Sequence, residues 1–298
     1  MGKIIDDNFL SSLELVTLVI KEANGGNPGG NRLTTVYGSS TEFADFREYF
    51  PGDDIRRIDW NIFARFGKLF VKQFYDERQL HVKIYIDTSY SMAQGDPLKS
   101  ELALKVAAGI GYLAVAAMDK VSFILLKGNE NELLCPSIVG KDAFLANVQS
   151  LNDVVFDGDT NLEASIKYGG DPGYGNGLSV IISDFLTDSD WKGAVDYLKY
   201  NKREVDLIQV LSPDEISPLS SGRLSLLDSE AVKEDDKRHT RMVINRSALI
   251  AYEKAVKWMY ADMKNFAASR GIRFMRTVSD MAPEKVMLQQ ATEAEILR

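Results

Sequence analysis

Val82-Lys83-Ile84-Tyr85-Ile86-Asp87-Thr88-Ser89-Tyr90-Ser91 is the stretch on which the fold of this chain turns. Val82 to Ile86 is a short, mostly apolar run that reads as a strand, and it ends abruptly in a carboxylate and small hydroxyl side chains. In open parallel sheets, ligands gather where strands end at their carboxyl edge, so Asp87, Ser89 and Ser91 become candidate site residues.

The pattern around this stretch repeats the same logic. A helical stretch from about Leu98 to Met118 follows, then strand candidates at Val121–Leu126 and Leu133–Val139 and a helix over Asp142–Leu151. Leu178–Ser183 is a nearly unbroken apolar run, as expected for a strand covered on both faces. Trp191–Tyr200 reads as a helix and Val205–Leu211 as a strand. Ala248–Ala268 reads as a long helix closed by Gly271, followed by a strand at Ile272–Val278 and a terminal helix over Pro283–Leu297. Strands alternating with helices predict an α/β fold: an open, mainly parallel sheet with helices on both faces.

Two regions break the alternation. Residues 8–23 carry apolar side chains at helical spacing, Asn24–Arg32 reads as a flexible loop, and Leu33–Leu80 is strand-like and broken by turns. This gives an N-terminal helix and β-rich domain over 1–80 and a main domain over 81–298. Within the latter, Leu224–Leu227 and Met242–Ile244 flank the charged run 233–238, so a hairpin inserted near 212–246 is expected at the sheet's edge.

Composition excludes several function classes. The chain has 298 residues, 45% hydrophobic and 26% charged, which is ordinary globular composition. A formal net charge of −8 argues against a nucleic-acid surface. One cysteine, Cys135, excludes an internal disulfide framework and a cysteine-based zinc site, and it reads as a buried hydrophobe beside a strand. With only His81 and His239, histidine-based metal sites are not expected. Met1–Asp7 is charged and no signal peptide follows, and the apolar run Val106–Met118 is too short to span a bilayer. A cytoplasmic protein without a membrane span is expected.

Two further positions join the first. Gly158-Asp159-Thr160-Asn161 opens a predicted helix, and Ser183-Asp184-Phe185 ends the most apolar strand. Asp and Ser cap helices everywhere, so each is weak alone. Together, at successive strand ends, Asp87, Ser89, Ser91, Thr160 and Asp184 offer oxygen ligands suited to Mg or Mn. If the hydroxyls bind directly, the metal stays electrophilic and an acidic side chain of a partner can complete its shell.

This ordered set resembles the metal-ion-dependent adhesion site of the von Willebrand factor type A domain, built from an Asp-x-Ser-x-Ser loop, a Thr and an Asp. The resemblance implies that the same five residues are the metal residues. Phe185 departs from the pattern, since many such domains place Gly there. Upstream, Glu42-Phe43-Ala44-Asp45-Phe46-Arg47-Glu48-Tyr49 and Pro51-Gly52-Asp53-Asp54-Ile55-Arg56-Arg57-Ile58-Asp59-Trp60, with Ala64-Arg65, resemble the signature of the bacterial domain-of-unknown-function-58 family. That resemblance implies a protein partner, a MoxR-type AAA+ ATPase or its client. The Arg and Asp residues of the signature either form a salt-bridge network that docks the small domain, with Trp60 as apolar anchor, or an active site built on Asp53 and Asp54.

Other motifs point elsewhere. Gly109-Ile110-Gly111 lies inside a predicted helix and reads as a close-packing device, and no P-loop lysine motif is present. Asp87 as the nucleophile of a phosphatase lacks a second Asp two residues on, where Ser89 stands. The expectation is therefore a non-enzymatic, metal-dependent interaction module. The alternatives are a metal-free structural module and an aspartate-nucleophile phosphatase.

Overall fold

The computed structural model describes residues 9, 12–13, 16–19, 34–37, 43–76, 79–170, 175–217, 222–226, 240–244 and 246–298. The chain divides into two units, Glu22–Gln79 and Met1–Lys21 together with Leu80–Arg298. The expected domains are 1–80 and 81–298; in this division Leu80 and the first 21 residues group with the large unit. Most of the amphipathic stretch 8–23, and the loop Asn24–Arg32, lie outside the described residues.

The small unit holds β1 (Thr34–Tyr37), β2 (Phe43–Glu48), helix α1 (Trp60–Phe66) and β3 (Phe70–Asp76), with both pairings antiparallel in the order β1-β3-β2. Helix α1 was not expected from the strand-like pattern. Its signal is in its ends: Asp59 accepts from the Asn61 and Ile62 N–H groups, and Gly67 closes the helix at φ 68°. The charged signature forms local links. Arg47 grips both oxygens of Asp53 at 2.7 and 2.6 Å, Lys72 meets Asp59 at 3.1 Å, and Asp54 caps the 3-10 turn Ile55–Arg57. Trp60, expected as an apolar anchor, is 60% exposed and meets Phe63 edge-on. Asp53 and Asp54 thus serve separate structural partners, and the Arg47 hydrogen bond holds the Asp53 carboxyl below the usual range, which does not suit a paired acid and base.

The large unit is built on β4 (His81–Asp87), which pairs in parallel with β5 (Lys120–Lys127) on one side and β7 (Gly177–Ser183) on the other. β6 (Glu130–Ile138) is an antiparallel edge, and β8 (Arg203–Leu211) and β11 (Arg273–Val278) extend the parallel side. The order β11-β8-β7-β4-β5-β6 is doubly wound, with its switch point between β4 and β7. This is the expected open, mainly parallel sheet with helices on both faces. β6 is irregular: its register against β5 shifts twice, Pro136 has no N–H to donate, and Ser137 adopts φ 45°. Cys135, on this strand, is buried.

The side chains of each strand alternate between two cores. One face is covered by α2 (Lys99–Ala116), α3 (Lys141–Asn147), Phe9, Leu13 and the C-terminal segment, which gather Ile84, Ile86, Phe123, Val180, Ile182 and Val210. The other is covered by α4 (Leu162–Tyr168), α5 (Trp191–Tyr200) and α7 (Arg246–Arg270), which gather Tyr85, Ile124, Ile181 and Leu207. Each fully buried aliphatic side chain contributes about 1.5–3 kcal/mol. α2 is buried almost all round, and its two glycines are packing devices. A Cβ on Gly111 would lie 2.8 Å from Phe123 and 2.9 Å from Phe144, and one on Gly109 would lie 3.0 Å from Met287.

The expected terminal helix is shorter than its sequence pattern. Helical turns run from Pro283 to Glu293, with a π-helical stretch at Val286–Gln290, and Glu295 then adopts φ 57° and breaks the helix. Ile296 to Arg298 pair instead with Thr17 to Val19, through Thr17 N–H to Arg298 O at 2.9 Å and Val19 N–H to Ile296 O at 2.9 Å. A short helix, α6 (Pro213–Ile216), follows β8, and β9 (Gly222–Leu226) pairs with β10 (Thr240–Ile244) as the expected hairpin strands. They form their own two-stranded sheet rather than an edge of the main one. The charged run 233–238 lies outside the described residues. Among the described residues, no helix is long and apolar enough to cross a membrane.

Candidate functional site

Three loops meet at the carboxyl end of β4, β5 and β7. Beyond Asp87 the chain turns because the Thr88 hydroxyl donates to the Leu126 carbonyl at 2.7 Å. Backbone bonds then stitch the loops together: Asp157 N–H to Thr88 O at 2.9 Å, Tyr90 N–H to Gly158 O at 2.8 Å, and Gly128 N–H to Asp159 O at 2.9 Å. The last pairing lays Thr160 beside Gly128 at the end of β5. Asn161 caps α4, and Thr187 and Ser189 buttress this loop from the segment after β7.

Four of the five expected residues form one hydrogen-bonded chain. Asp87 accepts from the Ser89 N–H at 3.0 Å, the Ser89 and Ser91 hydroxyls lie 3.0 Å apart, and the Ser91 hydroxyl donates to Asp184 Oδ2 at 2.8 Å. Thr160 stands outside that chain. Among the described residues its hydroxyl makes one long contact, donating to the Leu126 carbonyl at 3.4 Å. Asp87, Ser89, Thr160 and Asp184 are buried, and Ser91 is half-buried.

Three residues outside the expected five complete the arrangement. Ser183 donates to Asp87 Oδ2 at 2.6 Å and accepts from the Phe185 N–H at 2.9 Å. Lys99, fully buried at the start of α2, reaches Asp184 Oδ2 at 2.6 Å and Glu215 Oε1 at 2.5 Å. Glu215 is itself the partner in a capping box with Ser212, a Ser-x-x-Glu signal that stands in the sequence right after β8.

The electrostatics of the two aspartates differ. Asp184 has the Lys99 ammonium. Asp87 accepts from Ser183 and Ser89 and, among the described residues, meets no cation; burial pushes its carboxyl above the usual range, with the charge of Asp184 adding to the effect. An ionised carboxylate held there without a counter-ion is costly.

Phe185 takes the left-handed conformation, φ 55°, which favours glycine. Its ring turns away from the carboxylates into the second core, edge-on to Trp191 at 5.7 Å. From Phe185 and Leu186 a groove of about 520 Å³ runs between α5 and α7, past Trp191, Tyr252, Trp258 and Asp262.

The donor set can be tested against a divalent ion. Among the described residues, no group of three or more His, Cys, Asp or Glu could hold a metal, so any cation site here must lean on hydroxyls. Mg binds oxygen at 2.0–2.1 Å in octahedral geometry, which puts neighbouring ligand oxygens roughly 2.9 Å apart. The Ser89 and Ser91 hydroxyls, 3.0 Å apart, match that edge. The Thr160 hydroxyl and the Asp87 and Asp184 carboxylates are the further oxygen donors that these loops carry. The residues fit a hard divalent cation.

A family model described as "Protein of unknown function DUF58" matches residues 45–255. Uncharacterized proteins of Mycobacterium bovis and Mycobacterium tuberculosis are 27% identical over 235 residues, covering 77% of this chain and 74% of each relative. Among solved structures, the conserved hypothetical protein BatB from Bacteroides thetaiotaomicron aligns with a TM-score of 0.41 at 13% identity, over 72% of this chain and 98% of BatB. Manganese-loaded Plasmodium vivax TRAP protein aligns at 0.32 and 15% identity, over 44% of this chain and 57% of that one. The SpRpn10 VWA domain aligns at 0.31 and 14% identity, over 45% and 76%.

Proposed function

The chain belongs to the family described as protein of unknown function DUF58, and we propose that its large unit is a metal-assisted protein-interaction module rather than an enzyme. Ser89, Ser91 and Thr160 would hold a Mg or Mn ion, with Asp87 and Asp184 supplying charge behind them. When bound, the ion would offer an electrophilic position to a carboxylate of a protein partner. The residues of this chain do the rest. Ser183 and the Ser89 N–H hold Asp87 in one orientation, and the Leu186 N–H at 3.0 Å and Lys99 hold Asp184.

The observation that carries this reading is the hydroxyl pair at 3.0 Å beside a buried Asp87 that has no cation of its own. A MoxR-type AAA+ ATPase, or the client it remodels, is the partner that the resemblance of the Glu42–Arg65 block implies. A phosphatase reading is disfavoured because Asp87 is buried and both of its oxygens accept hydrogen bonds, which blunts it as a nucleophile.

The test is thermal shift and calorimetry with Mg and Mn on the full chain and on Ser89→Ala. A ligand that binds only the native state stabilises it by mass action, about 2.7 kcal/mol at a hundredfold excess over Kd. Stabilisation of the native chain that is lost in Ser89→Ala is the expected result. A melting temperature that millimolar metal does not move overturns the reading.

A further inference from the structure

Lys99 is an unusual residue in its place. It is fully buried, and it opens an 18-residue helix, whose N-terminus is the positive end of the helix dipole. An ammonium is opposed there by both burial and the dipole, and lysines are almost never fully buried unless paired. Its pairing is complete: Asp184 Oδ2 at 2.6 Å and Glu215 Oε1 at 2.5 Å. Neither partner is free to leave. Asp184 also accepts from the Leu186 N–H, and its own carbonyl accepts from Gln209 at 2.8 Å. The second oxygen of Glu215 accepts from the Ser212 N–H at 2.8 Å, its N–H is capped by Ser212 in return, and its carbonyl accepts from the Tyr252 hydroxyl at 2.7 Å.

The ammonium and the Ser91 hydroxyl converge on the same oxygen of Asp184. We propose that Lys99 is a built-in counter-cation of the site, which offsets part of the Asp184 charge and so weakens the hold of Ser89, Ser91, Thr160, Asp87 and Asp184 on a divalent ion. This rests on the reading of those residues as a cation site. Asp87, Asp184 and Glu215 with one ammonium leave a formal charge of minus two, which a divalent ion balances; without the lysine it is minus three. Lys99 thus sets how tightly the site binds, and Glu215 moderates Lys99 by sharing it.

The experiment is a calorimetric titration of Mn into the full chain, the Lys99→Met variant and the Glu215→Gln variant, with circular dichroism to confirm folding. Lys99→Met should bind Mn at least about tenfold more tightly than the native chain, and Glu215→Gln several-fold more weakly. A purely structural lysine would weaken binding when removed, so unchanged or weaker Mn affinity in folded Lys99→Met overturns the proposal. If Lys99→Met does not fold, Lys99→Gln, which keeps a hydrogen-bond donor without the charge, decides: tighter Mn binding supports the proposal, and unchanged or weaker binding overturns it. A native chain that binds no Mn beside a Lys99→Met variant that does would sink the native cation site and leave the role of Lys99 standing. Equal, measurable binding by both would do the reverse, and binding by neither overturns both.

Discussion

Ser183→Ala is the substitution that most directly tests how the site is held together. Ser183 is completely buried and its hydroxyl does two things at once, donating to Asp87 at 2.6 Å and accepting from the Phe185 N–H at 2.9 Å. Alanine fits the space but removes both. A hydrogen bond to a charged group contributes about 1.5–3 kcal/mol, and a buried N–H left without an acceptor costs about 1 kcal/mol or more. The carboxylate that loses its donor is the one without a cation, and Phe185 loses its tether in a conformation that L-residues disfavour. The sum is about 3 kcal/mol, which for a domain of this size lowers the melting temperature by roughly 6–12 °C. The assay is urea and thermal unfolding of the full chain without added metal. Because Ser183 is not among the residues assigned to the cation, stabilisation by Mn should survive in the variant. A fall of less than about 2 °C would show that Asp87 does not depend on Ser183 and would refute the reasoning.

Two other outcomes follow from the packing and the charge pairs. Gly111→Ala should destabilise the large unit by about 1–3 kcal/mol in urea unfolding, because the new methyl meets two core rings closer than 3 Å; an unchanged midpoint would mean those rings give way. Asp196, half-exposed, is held below the usual carboxyl range by its hydrogen bonds to Arg270, so its contribution is present above the unfolded-state pKa and lost as pH falls through the folded value. Asp196→Asn should therefore cost at most a few tenths of a kcal/mol at pH 7 and nothing at acid pH, where equal deficits at both pH values would contradict the assignment.

The parts of the fold that were legible in the sequence are those where one physical demand dominates. Leu178–Ser183 reads as a strand covered on both faces because nothing polar interrupts it, and β7 occupies Gly177–Ser183, buried throughout. Trp191–Tyr200 matches its helix residue for residue. Helix α1 was hidden because Trp60, Ile62, Phe63 and Phe66 are residues that strands also favour, and only its caps distinguish it. The tail was misread because helical spacing continues through Ile296 and Leu297, whereas their burial comes from pairing with Thr17 to Val19, a contact across nearly the whole chain. In the site, Asp87, Ser89, Ser91 and Asp184 stood out because polar side chains at strand ends are conspicuous. Lys99 did not, since a lone lysine before an apolar helix reads as a solvated end until its carboxylates are known.

The irregular edge strand β6 has a consequence for how the molecule meets others. An exposed strand offers a row of unpaired N–H and C=O groups to any passing chain, and sheets that leave it flat and apolar invite edge-to-edge pairing. Here Pro136 carries no N–H and the backbone at Ser137 takes φ 45°, so the strand departs from the flat, regular ladder that favours such pairing. Backbone-mediated self-association at that edge is thus discouraged by the sequence of a single strand. Selectivity in choosing companions is left to side-chain chemistry rather than to the indiscriminate stickiness of an open ladder.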